Sequence, residues 1–190
     1  MLTNNYYNYK KVMFLGADNG KYMWPAKPEF KSLDGSVVSA SIWAQYSQYG
    51  DFGRSLPRAK CTTLPKNTTS SNDDCGVFFG TGATPATPDD YTLESPITSG
   101  LSITNPGNFS FEDDGAGKWT FWASYVVTNT SGAEINIREI GIVTLPGSAG
   151  STFHPVLMER TVLTTPITIP AGGMKMVTVT VTQNNVLNVE

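Results

Sequence analysis

Charge is scarce in this 190-residue chain: Asp, Glu, Lys and Arg make up 15% of it, against about 25% in an ordinary soluble domain. Solubility then rests on Thr, Ser, Asn and Gly, which suits a β-rich surface better than a Lys/Glu-clad helical one. The basic residues are scattered, Lys10-Lys11 being the only adjacent pair, and the net charge is −3. Broad recognition of a phosphate backbone needs clustered cations, so nucleic acid is not expected as a partner. Long apolar runs are missing too. No stretch approaches the roughly 18 residues that would cross a bilayer as a helix. The opening Met-Leu-Thr-Asn-Asn-Tyr-Tyr-Asn-Tyr has neither the basic nor the apolar region of a secretory signal. The expectation is a protein made in a cytoplasm that stays soluble or reaches its destination by assembly, with no membrane partner.

Histidine and cysteine are nearly absent. The one histidine, His154, precedes Pro155, and no Gly-x-Ser-x-Gly elbow accompanies it, which argues against Ser-His-Asp chemistry. Cys61 and Cys75 flank a polar stretch rich in Thr, Ser, Asn and Asp. They are either free thiols or a loop-closing disulfide, and too few ligands surround them for a zinc centre. Gly16-Ala-Asp-Asn-Gly20-Lys21 has the wrong glycine spacing for a phosphate loop, and Tyr22 stands where a magnesium-binding hydroxyl belongs. Asp113-Asp114-Gly115-Ala116-Gly117 lacks the alternating carboxylates of a calcium loop and reads as a turn. The pairs Asp73-Asp74 and Asp89-Asp90 read as solvated turns. The sequence therefore offers no catalytic residue, metal ligand or cofactor site. Asn67, Asn108 and Asn129 each start a glycosylation tripeptide, but without a secretory route they are read as turn and strand residues.

What the sequence does contain is alternation. From Lys118 to Asn129, Trp119, Phe121, Ala123, Tyr125 and Val127 share one face and Thr120, Trp122, Ser124, Val126 and Thr128 the other. The segment from Ala133 to Thr144 shifts its apolar phase, from Ile135 and Ile137 to Ile140 and Ile142. A β-bulge near Arg138-Glu139 accounts for that shift. Those two charges either face solvent or pair with Arg160 or a neighbouring subunit. Strands are further expected at 11–15, 36–49, 76–80, 101–104, 108–112, 156–163, 167–169 and 174–182, and an extended segment at 91–97. A lone hairpin does not survive in water, so this many short strands point to two layers. The expected fold is all-β, an antiparallel β-sandwich or jelly-roll-like domain over residues 36–190. It is preceded by an extended N-terminal arm over residues 1–35 and interrupted by long loops.

The aromatic, proline-bearing start has little of its own to bury against. Tyr6, Tyr7, Tyr9, Trp24 and Phe30, with Trp122 on the less apolar strand face, are the candidate partner-binding residues. The segments Phe79-Gly-Thr-Gly82…Pro85…Pro88-Asp-Asp-Tyr91-Thr-Leu-Glu94-Ser-Pro96-Ile97, Asn136-Ile-Arg-Glu-Ile-Gly-Ile142, Leu157-Met-Glu-Arg-Thr-Val162 and Pro166-Ile-Thr-Ile-Pro-Ala-Gly-Gly-Met174 add a resemblance. Spread over residues 77–182, they resemble segments of small virion structural proteins of tailed bacteriophages. That resemblance implies a non-enzymatic head or tail component, located in the virion, with other virion proteins as partners in an oligomeric or symmetric assembly. It transfers no residue roles. The rival reading is a carbohydrate-binding module or adhesin that stacks sugars on exposed Trp and Tyr.

Overall fold

The computed structural model describes residues 1–8, 29–39, 59–60, 75–104, 109–113, 118–144 and 155–184. The expected strand at 11–15, residues 40–49 of the expected strand at 36–49, Tyr9, Trp24, Trp43, Cys61, Asp73-Asp74 and His154 lie outside them. Ten strands are described, namely β1 (Glu29–Lys31), β2 (Val37–Ser39), β3 (Ala59–Lys60), β4 (Gly76–Gly80), β5 (Leu101–Thr104), β6 (Phe109–Asp113), β7 (Lys118–Asn129), β8 (Ile135–Thr144), β9 (Val156–Ile169) and β10 (Met174–Asn184). The fold is all-β, as the alternation required.

Two four-stranded sheets hold most of the described residues. In one, β7 pairs antiparallel with β10 on one side and with β5 and β6 on the other. In the second, the order is β3-β4-β8-β9, antiparallel except for the short parallel pair β3/β4. The inner face of the first sheet gives Leu101, Ala123, Tyr125, Val127, Val177, Val179 and Val181 to the main core. The second gives Val77, Phe79, Ile137, Ile142, Val156, Met158 and Ile169. Each valine buried there contributes about 1.5–3 kcal/mol relative to exposure. The two faces together are what turns isolated ladders into a stable sandwich.

The alternation in β7 holds in three dimensions. Ala123, Tyr125 and Val127 are fully buried, while Val126 is 40% exposed on the opposite face. The bulge sits where the phase shift placed it, between Ile137 and Glu139 against β9, with a second irregularity at Ile142/Val143. Residues 156–163 and 167–169, expected as two strands, form one. Pro166 is tolerated because it falls in the register break of β9 opposite Arg138, where residues 163–166 have no partner on β8 and a missing N–H costs no ladder bond.

The β7–β8 and β9–β10 crossings between the sheets meet at Asn129, the last residue of β7, whose side chain is fully buried. Its amide donates to the carbonyls of Ala133 (2.7 Å) and Ile169 (2.9 Å), and its oxygen accepts from the Ser131 N–H and hydroxyl. Its own N–H donates to Gly173 and its carbonyl accepts from Gly172, whose φ of +70° suits the 170–173 turn. Asn129 is thus a corner fastener, which the glycosylation pattern in the sequence did not distinguish from a surface residue.

The first eight residues are docked rather than extended as a free arm. Leu2 bridges Glu159, the Thr3 N–H donates to the Met158 carbonyl, and residues 4–8 form one short helical turn that carries Tyr6 into the core.

One core group is imperfectly matched. The Tyr125 ring is fully buried edge-on to Phe79, with centroids 6.5 Å apart, and burial pushes its hydroxyl pKa up. That hydroxyl has no hydrogen-bond partner among the described residues. Tyr125→Phe is therefore expected to leave stability unchanged or raise it by up to ~1 kcal/mol. Urea unfolding of the two proteins checks this, and a loss of more than that would show a partner for the hydroxyl.

Candidate functional site

Among the described residues, the densest group of ionisable side chains lies on the outer face of the β4-β8 sheet. The bulge turns Glu139 outward, opposite Gly80 on β4 and Val162 on β9. There it is fully buried beneath residues 81–97. That segment leaves β4 and returns to its start, with Gly80 bridging Pro96, the Thr81 N–H donating to Ser95, and the Ile97 N–H donating to Phe79. It is an Ω-loop, closed at its neck and packed on its own side chains.

Glu139 fills the loop's interior. One carboxylate oxygen accepts from the Ser95 N–H at 2.7 Å and the Gly82 N–H at 3.2 Å. The other accepts from the Glu94 N–H at 3.1 Å and from Arg160 Nε at 2.8 Å. Arg160, on β9, is 3% exposed and spends its remaining nitrogens on the loop. Nη1 reaches Asp90 at 2.9 Å and Nη2 reaches Glu94 at 3.2 Å. Three carboxylates thus surround one guanidinium. A charge this deep is tolerable only when fully paired and hydrogen-bonded, and this pair is.

The electrostatics follow from those contacts. Burial opposes ionisation of Asp90, but hydrogen bonds from Thr87 and Arg160 outweigh it and hold its pKa below the usual value. Glu94 is held low by the Thr84 hydroxyl and N–H, with Arg160 adding a smaller share. Burial disfavours the Arg160 cation, yet Glu139 and Asp90 more than compensate and raise its pKa.

Small residues let the loop close. A Cβ on Gly82 would stand 2.6 Å from the Glu139 carboxylate oxygen, and one on Gly141 would stand 2.8 Å from Leu93. Leu93 caps a second apolar cluster with Leu33, Phe78, Val143 and Leu157. The N-terminal residues close the other side, as Asn4 bonds the Pro88 carbonyl and the Asp89 carboxylate. Lys31 sits over the Tyr91 ring at 3.9 Å, a cation–π contact.

This constellation is chemically quiet. Each Glu139 oxygen accepts two bonds, Arg160 uses all three nitrogens, and no group of metal-ligating side chains is found among the described residues. Its chemistry is that of a clasp. Of the alternatives the sequence left for Glu139 (solvent, Arg160 or a neighbouring subunit), the structure shows Arg160 of the same chain, while Arg138 faces solvent. The Asp89-Asp90 pair does form a turn, but Asp90 also completes the clasp.

The expected partner-binding residues are not brought together. Tyr6 and Phe30 belong to the main core, at 6% and 4% exposure. Tyr7 is exposed, its ring edge-on to Tyr6, and Tyr9 and Trp24 lie outside the described residues. Trp122 is half-buried on the outer face of β7, opposite Thr180 and Ser110. The same face shows what aromatic counting missed. Met174 and Met176 are 67% and 75% exposed beside Val126, amid Ser102, Thr104, Ser124, Thr128, Thr178, Thr180 and Thr182. Their alternation with Lys175 and Val177 was the available signal.

No protein-family model matches the chain, and neither a curated protein nor a solved structure does.

Glu139→Ala should cost about 3–5 kcal/mol in urea unfolding, because Arg160 stays buried with its innermost partner gone. Adding Arg160→Met should recover only part of that loss, since the Gly82, Glu94 and Ser95 N–H groups remain unpaired; full recovery would show that the ion pair alone matters. The pH dependence has a definite sign. Asp90 and Glu94 titrate below their ordinary values of 3.8 and 4.5 in the folded protein. Their contribution is complete above about pH 5 and is lost as pH falls through the folded values. Stability measured from pH 6 to pH 3 should therefore fall in wild type, and fall less in an Asp90→Asn/Glu94→Gln variant.

Proposed function

We propose that this protein is a non-enzymatic structural component of a multi-subunit particle, a tailed-phage virion as the sequence resemblance implies, held to its neighbours through exposed sheet surface. The observation that carries the reading is the contrast between the two outer sheet faces. One is sealed by the Ω-loop, the Leu33 turn and the N-terminal residues. The other presents Met174, Met176 and Val126 beside a lattice of hydroxyls. Among the described residues of that face, the only ion-forming side chains are Glu112 and Lys118, at the far end of β7. A flat, weakly charged face with protruding methionines desolvates cheaply and gains dispersion contacts when a subunit covers it.

Catalysis has no place in this reading, because the densest titratable cluster described is consumed in structural bonds. Glycan binding draws support from one observation, the half-buried Trp122 ring among serine and threonine hydroxyls.

A Val126→Glu/Met174→Glu variant tests the assignment. Both side chains are exposed, so its unfolding midpoint should stay within about 0.5 kcal/mol of wild type. Its recovery in purified particles should fall at least tenfold, and electron microscopy of wild-type particles should show this face against a neighbour. Normal incorporation, or wild-type chain absent from particles, overturns the reading. Specific glycan-array binding abolished by Trp122→Ala would favour the carbohydrate reading instead.

A further inference from the structure

The two long strands that border the sheets are treated differently. Along β9, residues Val156–Arg160 are covered, with Leu2 bridging Glu159, Ser32 bridging Val156, and the Arg160 N–H donating to the Met1 carbonyl. Further along comes Pro166. These are ways of blunting an edge against another chain. β10 has neither. Its ladder with β7 runs from Met174 to Asn184 without a register shift, it contains no proline, and Lys175 is its one charge. Among the described residues, no strand pairs with its other side.

We propose that β10 pairs antiparallel with β10 of a second copy of this chain, about a two-fold axis through Val179. The argument is the symmetry of the strand itself. Directly opposed residues in an antiparallel pair share a face, so the axis must pass through a residue. Of the available centres, Val179 alone engages all 11 residues. In that register Val177 meets Val181 and Val179 meets itself on the buried side, extending the valine row of the core. On the outer side Thr178 meets Thr180 and Met176 meets Thr182. Lys175 falls opposite Gln183, so no charge faces a like charge. The contact is isologous and closes on itself, as a two-fold dimer should. It joins the four strands of each copy into one continuous sheet and places the two methionine-bearing faces side by side. This deepens the assembly reading above, on which it rests, by naming the first neighbour and the register.

Two outward pairs of substitutions test it, because Thr178 and Thr180 are both exposed. Sedimentation of wild type should give twice the 20.5 kDa mass of one chain. Thr178→Lys/Thr180→Lys and Thr178→Glu/Thr180→Glu should each halve that mass with unchanged circular dichroism, since like charges then oppose one another across the axis. An equimolar mixture of the two should restore the doubled mass. A wild type that sediments as one chain at every concentration overturns the pairing, as does a Lys variant that keeps the doubled mass. If the pairing fails while Val126→Glu/Met174→Glu still blocks incorporation, the edge contact alone falls. If dimers form but that variant incorporates normally, the assembly reading falls and the dimer stands.

Discussion

The structure depends on one fully buried carboxylate, that of Glu139. Once the bulge points Glu139 outward beneath a covering segment, every lone pair it carries must find a donor, and the nearest donors are backbone N–H groups. Gly82, Glu94 and Ser95 provide them only if residues 81–97 curl around the carboxylate. The loop's shape is therefore dictated from its centre. Arg160 supplies the compensating charge and extends the same logic to the loop's rim, where Asp90 and Glu94 take its remaining nitrogens. Remove the bulge and the glutamate would point into the core, where the valines and isoleucines of both sheets leave it no donor.

Much of the sandwich was legible from side-chain period. Lys118 to Asn129 and Met174 to Thr182 alternate because one set of side chains, among them Ala123, Tyr125, Val127, Val177, Val179 and Val181, enters the core while the other faces outward. The bulge was legible for the same reason: Ile137 and Ile140 cannot both be buried in an unbroken strand. The clasp was only half legible. Glu139 in a strong apolar strand is conspicuous, and Arg160 was one of the named partners, but three of its four donors are backbone groups, which carry no sequence signature. Asp90 and Glu94 look like any polar loop residues until the fold brings Arg160 beneath them. The place of Tyr6 in the core was not legible for a related reason. A short polar-aromatic segment reads the same whether its covering surface is another molecule or β9 of its own chain. Here Thr3, Asn5 and Tyr6 meet their own core.

Glycine has two distinct uses here. Gly82 and Gly141 are small because another group already occupies the space a Cβ would need. Gly172 instead supplies a left-handed backbone for the turn between β9 and β10. The first kind seals the Ω-loop, the second returns the chain to the opposite sheet. Together with Asn129 they explain how a chain with so few charges fixes the relation of its layers: the specificity lies in backbone hydrogen bonds and close approach, with the buried ion pairs among the described residues gathered around Arg160.

The docking of residues 1–8 also sets a timetable. Thr3 bonds the Leu157 carbonyl across a sequence separation of 154 residues. A ribosome adding about 5–20 residues per second would need roughly 8–30 s to make the strand that receives it. Throughout that interval Tyr6 and Leu2 have no native surface to cover. The seal on β9 is a late event of biosynthesis, because residues 1–8 are made long before the strand they cover.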